Sequence, residues 1–365
     1  MQNNIIAKDT LRNTQEYIKL PLLYQHWYVA GLTAEFQHEL MDKTLLERSI
    51  VFYRKADGEL VALQNRCAHR SYPLSKSKLV GDNIQCGYHG ILYNPEGQII
   101  DVPCQTNCPK NTGVRKYPVA ERGPLVWIWM GEPEDADEAN IPQTDCLVDP
   151  QWTAIWGRKA LEGNYLLMHE NLADLSHLPF LHEDTFGASD DWAEVPVETE
   201  PEGDMVHYWR STSVWAMAAP LYPPTLDLSA TEIDGKLGAT FVSPAMCRGW
   251  TKVEVQEEEG NKQRVYATEI NHYLTPENHD TAHYYWSFAR NCDIENQEYT
   301  DIFRGVVNAA FDEDRVATKE MQVLLNEDKH DISDINIGSD KSSVMVRKVI
   351  IGLANREIDS RNAST

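Results

Sequence analysis

The chain has 365 residues, of which 42% are hydrophobic and 24% charged, so it can bury one large core or two ordinary ones. Its 56 acidic and 33 basic residues leave a formal net charge of −23, which disfavours nucleic-acid binding. It has no run of 18 apolar residues and no basic segment followed by an apolar stretch at its start, so we expect neither a membrane span nor a secretory signal. Its seven cysteines are then expected to be free or metal-bound thiols in a reducing, cytoplasmic setting.

The first part of the chain has the pattern of a small all-β domain. Runs rich in β-branched and aromatic residues at 50–53, 60–63 and 125–130 predict short strands. Predicted helices at about 161–178 and 300–326 then flank a long β-rich stretch, which indicates an α+β fold with an antiparallel sheet covered by helices. The predicted organisation is an N-terminal extension (1–21), an all-β domain (22–131), a linker (132–142), a catalytic domain (143–355) and a flexible tail (356–365).

The all-β domain contains a mixed pattern of two cysteines and two histidines. Cys67 and His69 form a C-x-H pair, and Cys86 and His89 follow after sixteen residues as a C-x2-H pair. Each pair can occupy the tip of a loop. One Cys and one His per loop suit a binuclear iron–sulfur cluster, because one iron takes both thiolates and the other takes both imidazoles. A structural Cys2His2 zinc site is the alternative, although zinc sites favour halves of uniform chemistry.

A second group of candidate ligands lies between residues 162 and 182. Asp174 and His177 are three residues apart and would adjoin on a helix surface. Pro179 is expected to end that helix, which leaves His182 on the following turn and able to fold back towards His177. An ordinary helix with its polar residues in water is the alternative for this segment taken alone.

A carboxylate on a distant helix completes the second group. The helix that starts near Phe303 has apolar residues at 303, 306, 307, 310, 317, 321 and 325. At about 100° per residue, Asp314 lies about 20° from Phe303, within the apolar face, whereas Asp312 points about 180° away. A lone carboxylate on a buried stripe needs a cation, or else a salt bridge to an arginine. Two histidines and one inward carboxylate form the facial triad of non-haem Fe(II) oxygenases.

These motifs together resemble the Rieske non-haem iron oxygenases, over roughly residues 22–330. The spacing Asn171-x2-Asp174-x2-His177-x4-His182 is similar to the iron motif of that family. The resemblance implies one Rieske [2Fe–2S] cluster and one mononuclear Fe(II) per subunit. It implies that the cluster is held by Cys67, His69, Cys86 and His89, and the mononuclear iron by His177, His182 and Asp314.

The same resemblance implies catalytic roles for two further residues. Asn171 matches a family asparagine close to the iron. Asp174 matches a carboxylate that links the iron ligand His177 to the cluster ligand His89 of a neighbouring subunit. This arrangement implies a homotrimer, in which a head-to-tail ring places one subunit's cluster against the next subunit's iron.

Within the family, the chain looks most like the oxygenase component of the vanillate O-demethylase group. The similar segments are Asn164-Tyr165, Thr275-Pro276-Glu277, 281–286 and Phe311-Asp312-Glu313-Asp314. The resemblance implies a terminal oxygenase of aromatic catabolism that uses O2 and electrons from a separate NAD(P)H-dependent reductase, with or without a ferredoxin. It favours mono-oxygenation, by O-demethylation, of a small aromatic substrate such as an aromatic acid. A ring-hydroxylating dioxygenase that gives a cis-dihydrodiol and a methyl hydroxylase are the alternatives.

The β-rich stretch 205–290 is expected to line the substrate pocket. Its candidate lining residues are Trp209, Trp215, Tyr222, Arg248, Trp250, Lys252, His272, His283, Tyr285 and Trp286. Aromatic and basic side chains together would suit a stacked aromatic acid. Cys104 and Cys108 form a C-x3-C pair without nearby histidine or cysteine partners, and no function is predicted for it.

Overall fold

The structure of the chain, a computed structural model, describes residues 11, 13–109, 111–185, 191–212, 233–256, 263–328 and 334–363. Its helices and strands are α1 (Thr14–Tyr17), β1 (Trp27–Leu32), β2 (Met41–Leu45), β3 (Arg48–Arg54), β4 (Leu60–Gln64), β5 (Lys78–Val80), β6 (Asn83–Gln85), β7 (Leu92–Tyr93), β8 (Ile99–Asp101), β9 (Val119–Arg122), β10 (Leu125–Trp129), β11 (Thr153–Leu161), α2 (Tyr165–Ala173), α3 (Leu178–Leu181), α4 (Asp191–Glu194), β12 (Glu198–Glu202), β13 (Met205–Thr212), β14 (Ile233–Ser243), β15 (Met246–Gln256), β16 (Gln263–Pro276), β17 (Ala282–Arg290), α5 (Gln297–Glu327) and α6 (Lys341–Ala363).

The first of two units, which we call the β unit, comprises residues 24–141 and 275–278. It holds three antiparallel sheets, with strand orders β1-β10-β9, β2-β3-β4 and β5-β6-β7-β8. The runs predicted as strands at 50–53 and 60–63 lie within β3 and β4, so the all-β prediction is confirmed. Alternate residues of these two strands fill a core that also contains Cys67 and Cys86.

The second unit, which we call the catalytic unit, comprises residues 1–23, 142–274 and 279–365. Its sheet has seven strands in the order β11-β17-β16-β15-β14-β13-β12. Helix α2 packs against β14, α5 against β11 and α6 against β13, while α2 also contacts α5 and α6. The predicted antiparallel sheet covered by helices is therefore confirmed.

Helix α5 buries a different stripe from the predicted one beyond Asp314. Phe303, Val307, Ala310 and Asp314 are buried as predicted, but the stripe then continues through Thr318 and Gln322. The apolar residue Met321 is 40% exposed instead. Thr318 and Gln322 are buried in place of Met321 because the start of α2 packs on this face of α5 through polar contacts. The backbone N–H of Asn164 donates to the Gln322 side chain at 2.8 Å. Gly163 packs so closely on Thr318 that an added Cβ would lie only 2.7 Å from the Thr318 side chain.

The helix predicted at 161–178 is wrong in its bounds, because α2 ends at Ala173 and Asp174 is extended. The last carbonyls of α2 accept hydrogen bonds from Tyr208 and Ser342, which satisfies them without a further helical turn. Pro179 lies in the first turn of α3 rather than ending a helix. A proline fits there, because the first turn leaves its amide positions without intrahelical partners.

The predicted domain boundaries stay predictions, and two segments differ from them locally. Residues 132–141 remain with the β unit, tied by the Trp27 ring nitrogen to the Asp137 carbonyl and by an Arg122–Glu138 ion pair. Helix α6 continues to Ala363, so most of the predicted tail is helical. Within the part of the chain that the structure describes, no helix combines the length and apolar character that a membrane span requires.

Candidate metal centres

The two cysteine–histidine pairs of the β unit lie on loops with the same backbone hydrogen bonds. In each loop, the cysteine amide donates to the carbonyl five residues later, and the amide four residues later donates to the cysteine carbonyl. The residue at that fourth position is Ser71 or Gly90, with a φ of 57° or 75°. Two equivalent turns therefore present Cys67 and Cys86 in equivalent settings.

The thiols are buried and the imidazoles are exposed. Cys67 and Cys86 are 3% and 2% exposed, whereas His69 and His89 lie at the surface with ring centroids 4.6 Å apart. Such an arrangement would put a thiolate-bound metal inside the unit and an imidazole-bound metal at its edge. An edge position is where an electron could enter or leave a cluster.

Tyr93 on β7 contacts the Cys67 thiol, and no sequence pattern predicts this contact. Its hydroxyl accepts from the Ala68 amide at 3.0 Å and lies 3.1 Å from the Cys67 sulfur, so its own hydrogen can be donated to sulfur. Burial raises the pKa of the Cys67 thiol, but Tyr93 and the backbone amides of His69 and Arg70 outweigh burial and hold that pKa below its ordinary value. The thiolate that a metal requires is therefore favoured.

The spread of these four ligands decides between the two predicted kinds of site. Among the described residues, three ligand atoms of different side chains lie within 4.8 Å of one another only at His177, His182 and Asp314. Ligands of one tetrahedral zinc would lie about 3.3–3.8 Å apart, given bonds of 2.0–2.3 Å. The Cys and His set of the loops does not form such a compact group, which agrees with a two-iron cluster rather than a single zinc ion.

The second centre brings together His177, His182 and Asp314, as predicted. His177 precedes α3, His182 follows it, and Asp314 is presented by α5. The Nε2 atoms of His177 and His182 lie 3.7 and 3.1 Å from the same Asp314 carboxylate oxygen. Asp314 is 3% exposed and His182 1% exposed, so this convergence takes place away from bulk water.

The other ring nitrogens explain why these three groups fit a metal. His177 Nδ1 faces the Asp174 carbonyl, and His182 Nδ1 lies 2.6 Å from the Glu313 carboxylate. These acceptors hold the ring hydrogens on Nδ1, so both Nε2 lone pairs face Asp314. Three electron-rich atoms that converge in a buried site need a cation between them. The residues therefore fit a mononuclear metal with two histidines and one carboxylate.

The protonation states of Asp314 and His177 agree with that role. Burial lowers the pKa of His182, but Asp314 and Glu313 outweigh burial and raise that pKa above its ordinary value, so a metal would replace a proton on this ring. Burial raises the pKa of the Asp314 carboxyl, but His182, His177 and Asn171 outweigh burial and hold that pKa below its ordinary value. Burial lowers the pKa of His177. An ionised carboxylate and a neutral imidazole are the forms that bind a metal.

Asn171 and Asp174 lie beside this centre in different ways. The side-chain NH2 of Asn171 donates to Asp314 at 3.0 Å. The side-chain oxygen of Asn171 is buried without a partner among the described residues. The Asp174 carboxylate accepts from the Ser176 amide and hydroxyl, at 2.7 and 2.5 Å. Within the chain, the contact predicted between the Asp174 carboxylate and His177 is made by the Asp174 backbone carbonyl instead. The reason is that α2 ends before Asp174, which turns its carbonyl towards the ring.

Glu313 is a further candidate functional residue, for which the sequence predicts no role. It holds His182 Nδ1 at 2.6 Å and is itself held by the Thr185 hydroxyl at 2.8 Å. Its position directly before Asp314 was the available signal, since a carboxylate that orients a metal-binding histidine is common.

We expect Glu313→Gln to weaken retention of the mononuclear metal by about 10-fold, because the amide keeps the shape but loses the charge that orients His182. The measurement is iron remaining after dialysis against a graded series of chelator concentrations. Asp312→Asn is the matched control, since Asp312 is half exposed and pairs with Lys159 and Arg315. Equal iron retention in both variants would remove the orienting role of Glu313.

A mostly apolar cavity opens onto the second centre within the catalytic unit. It reaches His177, His182 and Asp314 from the sheet side, and helix residues such as Leu172 and Phe311 close its other side. Of the predicted lining residues, Trp250 and His272 line it. His272 is held by the Tyr284 hydroxyl at 2.6 Å, and burial lowers its pKa to about 4, so it is neutral.

The other predicted lining residues have different positions. Arg248 donates to the Gln143 carbonyl, and Lys252 lies 2.5 Å from Glu254. Trp209 donates its ring nitrogen to Glu198. His283, Tyr285 and Trp286 lie on β17 and do not line the cavity, whereas Trp215 and Tyr222 lie outside the described residues. Cys104 and Cys108 are exposed, and nothing in the structure explains their spacing.

A surface depression lies on the other side of the second centre. Asn171, Asp174 and His177 line it together with Ile335 and Arg347. His177 therefore borders both the depression and the apolar cavity.

Two sites define a Rieske-type oxygenase. One is a binding site for a two-iron cluster on a β unit, and the other is a His/His/carboxylate centre on a catalytic unit.

Comparison with known proteins agrees with that class. Residues 26–118 match the Rieske [2Fe–2S] domain, and residues 161–356 match the vanillate O-demethylase oxygenase C-terminal domain. The chain therefore belongs to the Rieske non-haem iron oxygenases that carry this C-terminal domain, and it is an oxygenase with a [2Fe–2S] cluster and a mononuclear iron.

Individual relatives support the same assignment. The iron–sulfur subunit of the toluene-4-sulfonate monooxygenase system of Comamonas testosteroni is 33% identical, over 82% of this chain and 88% of that protein. The oxygenase component of dicamba O-demethylase from Stenotrophomonas maltophilia is 30% identical, over 81% of this chain and 87% of that protein. A crystal structure of dicamba monooxygenase with non-haem iron and dicamba superposes with a TM-score of 0.79 at 27% identity, covering 93% of this chain and 99% of that one.

Proposed function

We propose that this chain is the terminal oxygenase component that O-demethylates a small aromatic substrate. The observation that carries the proposal is the apolar cavity that opens directly onto His177, His182 and Asp314. A substrate in that cavity would lie next to the metal, while its walls exclude bulk water. The C-terminal domain is that of vanillate O-demethylase oxygenases, which favours attack on a methoxy carbon over attack on a ring.

The reaction would use one O2, two electrons and two protons for each methoxy group. Its products are a hydroxyl group on the substrate, formaldehyde and one water. When bound, the cluster supplies single electrons and the mononuclear iron activates O2. The electrons come from a separate NAD(P)H-dependent reductase, directly or through a ferredoxin, because relatives of this chain are named as oxygenase components or subunits of larger systems.

The residues of the chain have separate tasks in this reaction. His177, His182 and Asp314 hold the metal, and Glu313 and the Asp174 carbonyl keep the two rings aimed at it. Asn171 donates to the same Asp314 oxygen that both histidine rings face, which fixes the carboxylate beside the metal. The role of Cys67, His69, Cys86 and His89 is to bind the cluster.

Electrons enter the catalytic unit from the depression rather than from the substrate cavity. Asp174 lies in that depression, and its carboxylate uses one oxygen for Ser176. The second oxygen suits a hydrogen bond from an exposed histidine such as His89 of a neighbouring subunit. A head-to-tail homotrimer supplies that histidine to each catalytic unit.

Product analysis tests the proposed function. Holoenzyme with a surrogate reductase is incubated with a panel of methoxylated aromatic compounds, and formaldehyde and O2 uptake are measured together. We expect formaldehyde and O2 in a ratio of about one for productive substrates, with none from a His182→Ala variant. A cis-dihydrodiol, or oxidised product without formaldehyde from every methoxy compound, would contradict O-demethylation.

A further inference from the structure

Three strands build one wall of the substrate cavity in three successive rows. The antiparallel register places these lining residues side by side: Cys247 with His272, then Ala239 with Gly249 and Ile270, then Leu237 with Thr251 and Thr268. Residues two apart on a strand are separated by about 6.8 Å, so the first and third rows lie about 14 Å apart along the strands.

The first row is the metal end of the cavity. The His272 ring meets the Phe311 ring edge-on, with centroids 5.0 Å apart. Phe311 lies one helical turn before Asp314 on α5, which puts His272 close to the second centre. The reacting carbon of a substrate therefore belongs at this end.

The middle row is shallow because its residues on β14 and β15 are small. Ala239 and Gly249 stand side by side there. A Cβ added to Gly249 would make only ordinary contacts, at 3.4 and 3.5 Å from Ile270. Glycine is thus not required by crowding at this position, and its effect is to leave room over the strand. A flat apolar group, such as an aromatic ring, fits that room.

The third row, which lies farthest along the strands from the metal end, carries a pair of hydroxyls. The Thr251 and Thr268 hydroxyl oxygens lie 2.6 Å apart, and each residue is 4% exposed. One hydroxyl donates to the other, which leaves one hydrogen and free lone pairs on the pair. Such a pair can donate to, or accept from, an uncharged polar group of a ligand.

Positive charge is missing from the same walls. Among the described residues, no lysine or arginine lines the cavity, and its one histidine outside the metal centre, His272, is neutral. Arg248 and Lys252 have partners elsewhere. An anionic group placed against these described walls would meet no cationic side chain, which is costly for a buried charge.

We propose that this oxygenase takes an elongated, uncharged substrate: an alkoxy end at the metal, a flat ring over Gly249 and an uncharged polar group at the Thr251–Thr268 pair. The proposal rests on the proposed function for the reacting end only. It replaces the aromatic acid expected from the sequence, because the cations on which that expectation depended, Arg248 and Lys252, do not line the cavity.

A matched pair of ligands tests the charge. 4-Methoxycinnamamide and 4-methoxycinnamate differ little except in the charge of the far group, and their binding to oxidised holoenzyme is measured by calorimetry. We expect the amide to bind at least about 30-fold more tightly, because the carboxylate lacks a counter-ion. Equal binding, tighter binding of the carboxylate, or no binding of either ligand would overturn the proposal.

Two variants test the position of the ligand in the cavity. Thr251→Val with Thr268→Val keeps the shape and removes both hydroxyls, a change that is nearly neutral for folding, and should weaken amide binding about 5–10-fold. Gly249→Val fills the middle row and should weaken it by at least ~10-fold. Gly305→Ala is the control, since Gly305 is an exposed helix position without neighbours, and should leave binding unchanged. Unchanged amide binding in both cavity variants would overturn the assignment of the rows.

The binding measurements are independent of turnover. If the amide binds as expected but yields no formaldehyde, the substrate class holds and O-demethylation fails. If the carboxylate binds more tightly and yields formaldehyde, O-demethylation holds and the uncharged substrate class fails.

Discussion

Replacing His182 by alanine is expected to abolish turnover while the visible and EPR spectra of the Rieske cluster stay unchanged. His182 is 1% exposed and its ring is held by Glu313, so the variant removes one of the three ligands of the mononuclear metal. We expect iron to fall from about three to about two per chain and O2 uptake to fall by at least ~1,000-fold, beyond the 10–100-fold typical of groups that only orient metal ligands.

Two controls bracket this result. His207→Ala removes another histidine of the catalytic unit, one that pairs with Glu202 and Thr240 away from the cavity, and should leave iron and turnover unchanged. Cys67→Ser is the converse change and should abolish the cluster while one iron per chain remains, because a thiolate is a much better iron ligand than a hydroxyl. Loss of the cluster spectrum in the His182 variant would show that the two centres do not fold independently.

Replacing Asp174 by asparagine is expected to leave cluster content, iron content and the proposed trimer near normal while turnover falls by at least ~100-fold, the upper end for groups that orient metal ligands. The amide oxygen can still accept from the Ser176 amide, and the backbone carbonyl still holds His177. Only the charge and the second carboxylate oxygen are lost. If that oxygen links the cluster of a neighbouring subunit to this centre, electron transfer stalls.

A single-turnover assay on the pre-reduced variant measures that step directly. With substrate and O2 present, the cluster of the Asp174→Asn variant should stay reduced on the time scale in which the parent protein oxidises it. Ser176→Ala is the matched control, since it removes a partner of the carboxylate and keeps the charge, and should oxidise its cluster at nearly the parent rate. Cluster oxidation at the parent rate in the Asp174→Asn variant would require another electron path, and the bridging role would be withdrawn.

Local sequence patterns were sufficient where the chemistry is local. Cys67 and His69 are two residues apart, and the C-x-H and C-x2-H spacings can be read without knowing the fold. Asp314 could be predicted although it is far from the histidines in the sequence, because a carboxylate on the apolar face of a helix is unusual. A buried carboxylate requires a cation beside it. The bounds of the iron segment were wrong, because hydrogen bonds from Tyr208 and Ser342 end α2 early and no local pattern contains them.

By itself, the sequence determined the class of protein, since ligand types at fixed spacings specify which metals can bind and the strand and helix patterns specify the two kinds of unit. Only the tertiary structure decided what the cavity presents to a substrate. Strand register brought Thr251 to Thr268 and placed Gly249 between that pair and the metal end, while it directed Arg248 and Lys252 to partners elsewhere. Which residues face one cavity depends on pairing between strands, and a shift of one residue would have exchanged the two faces.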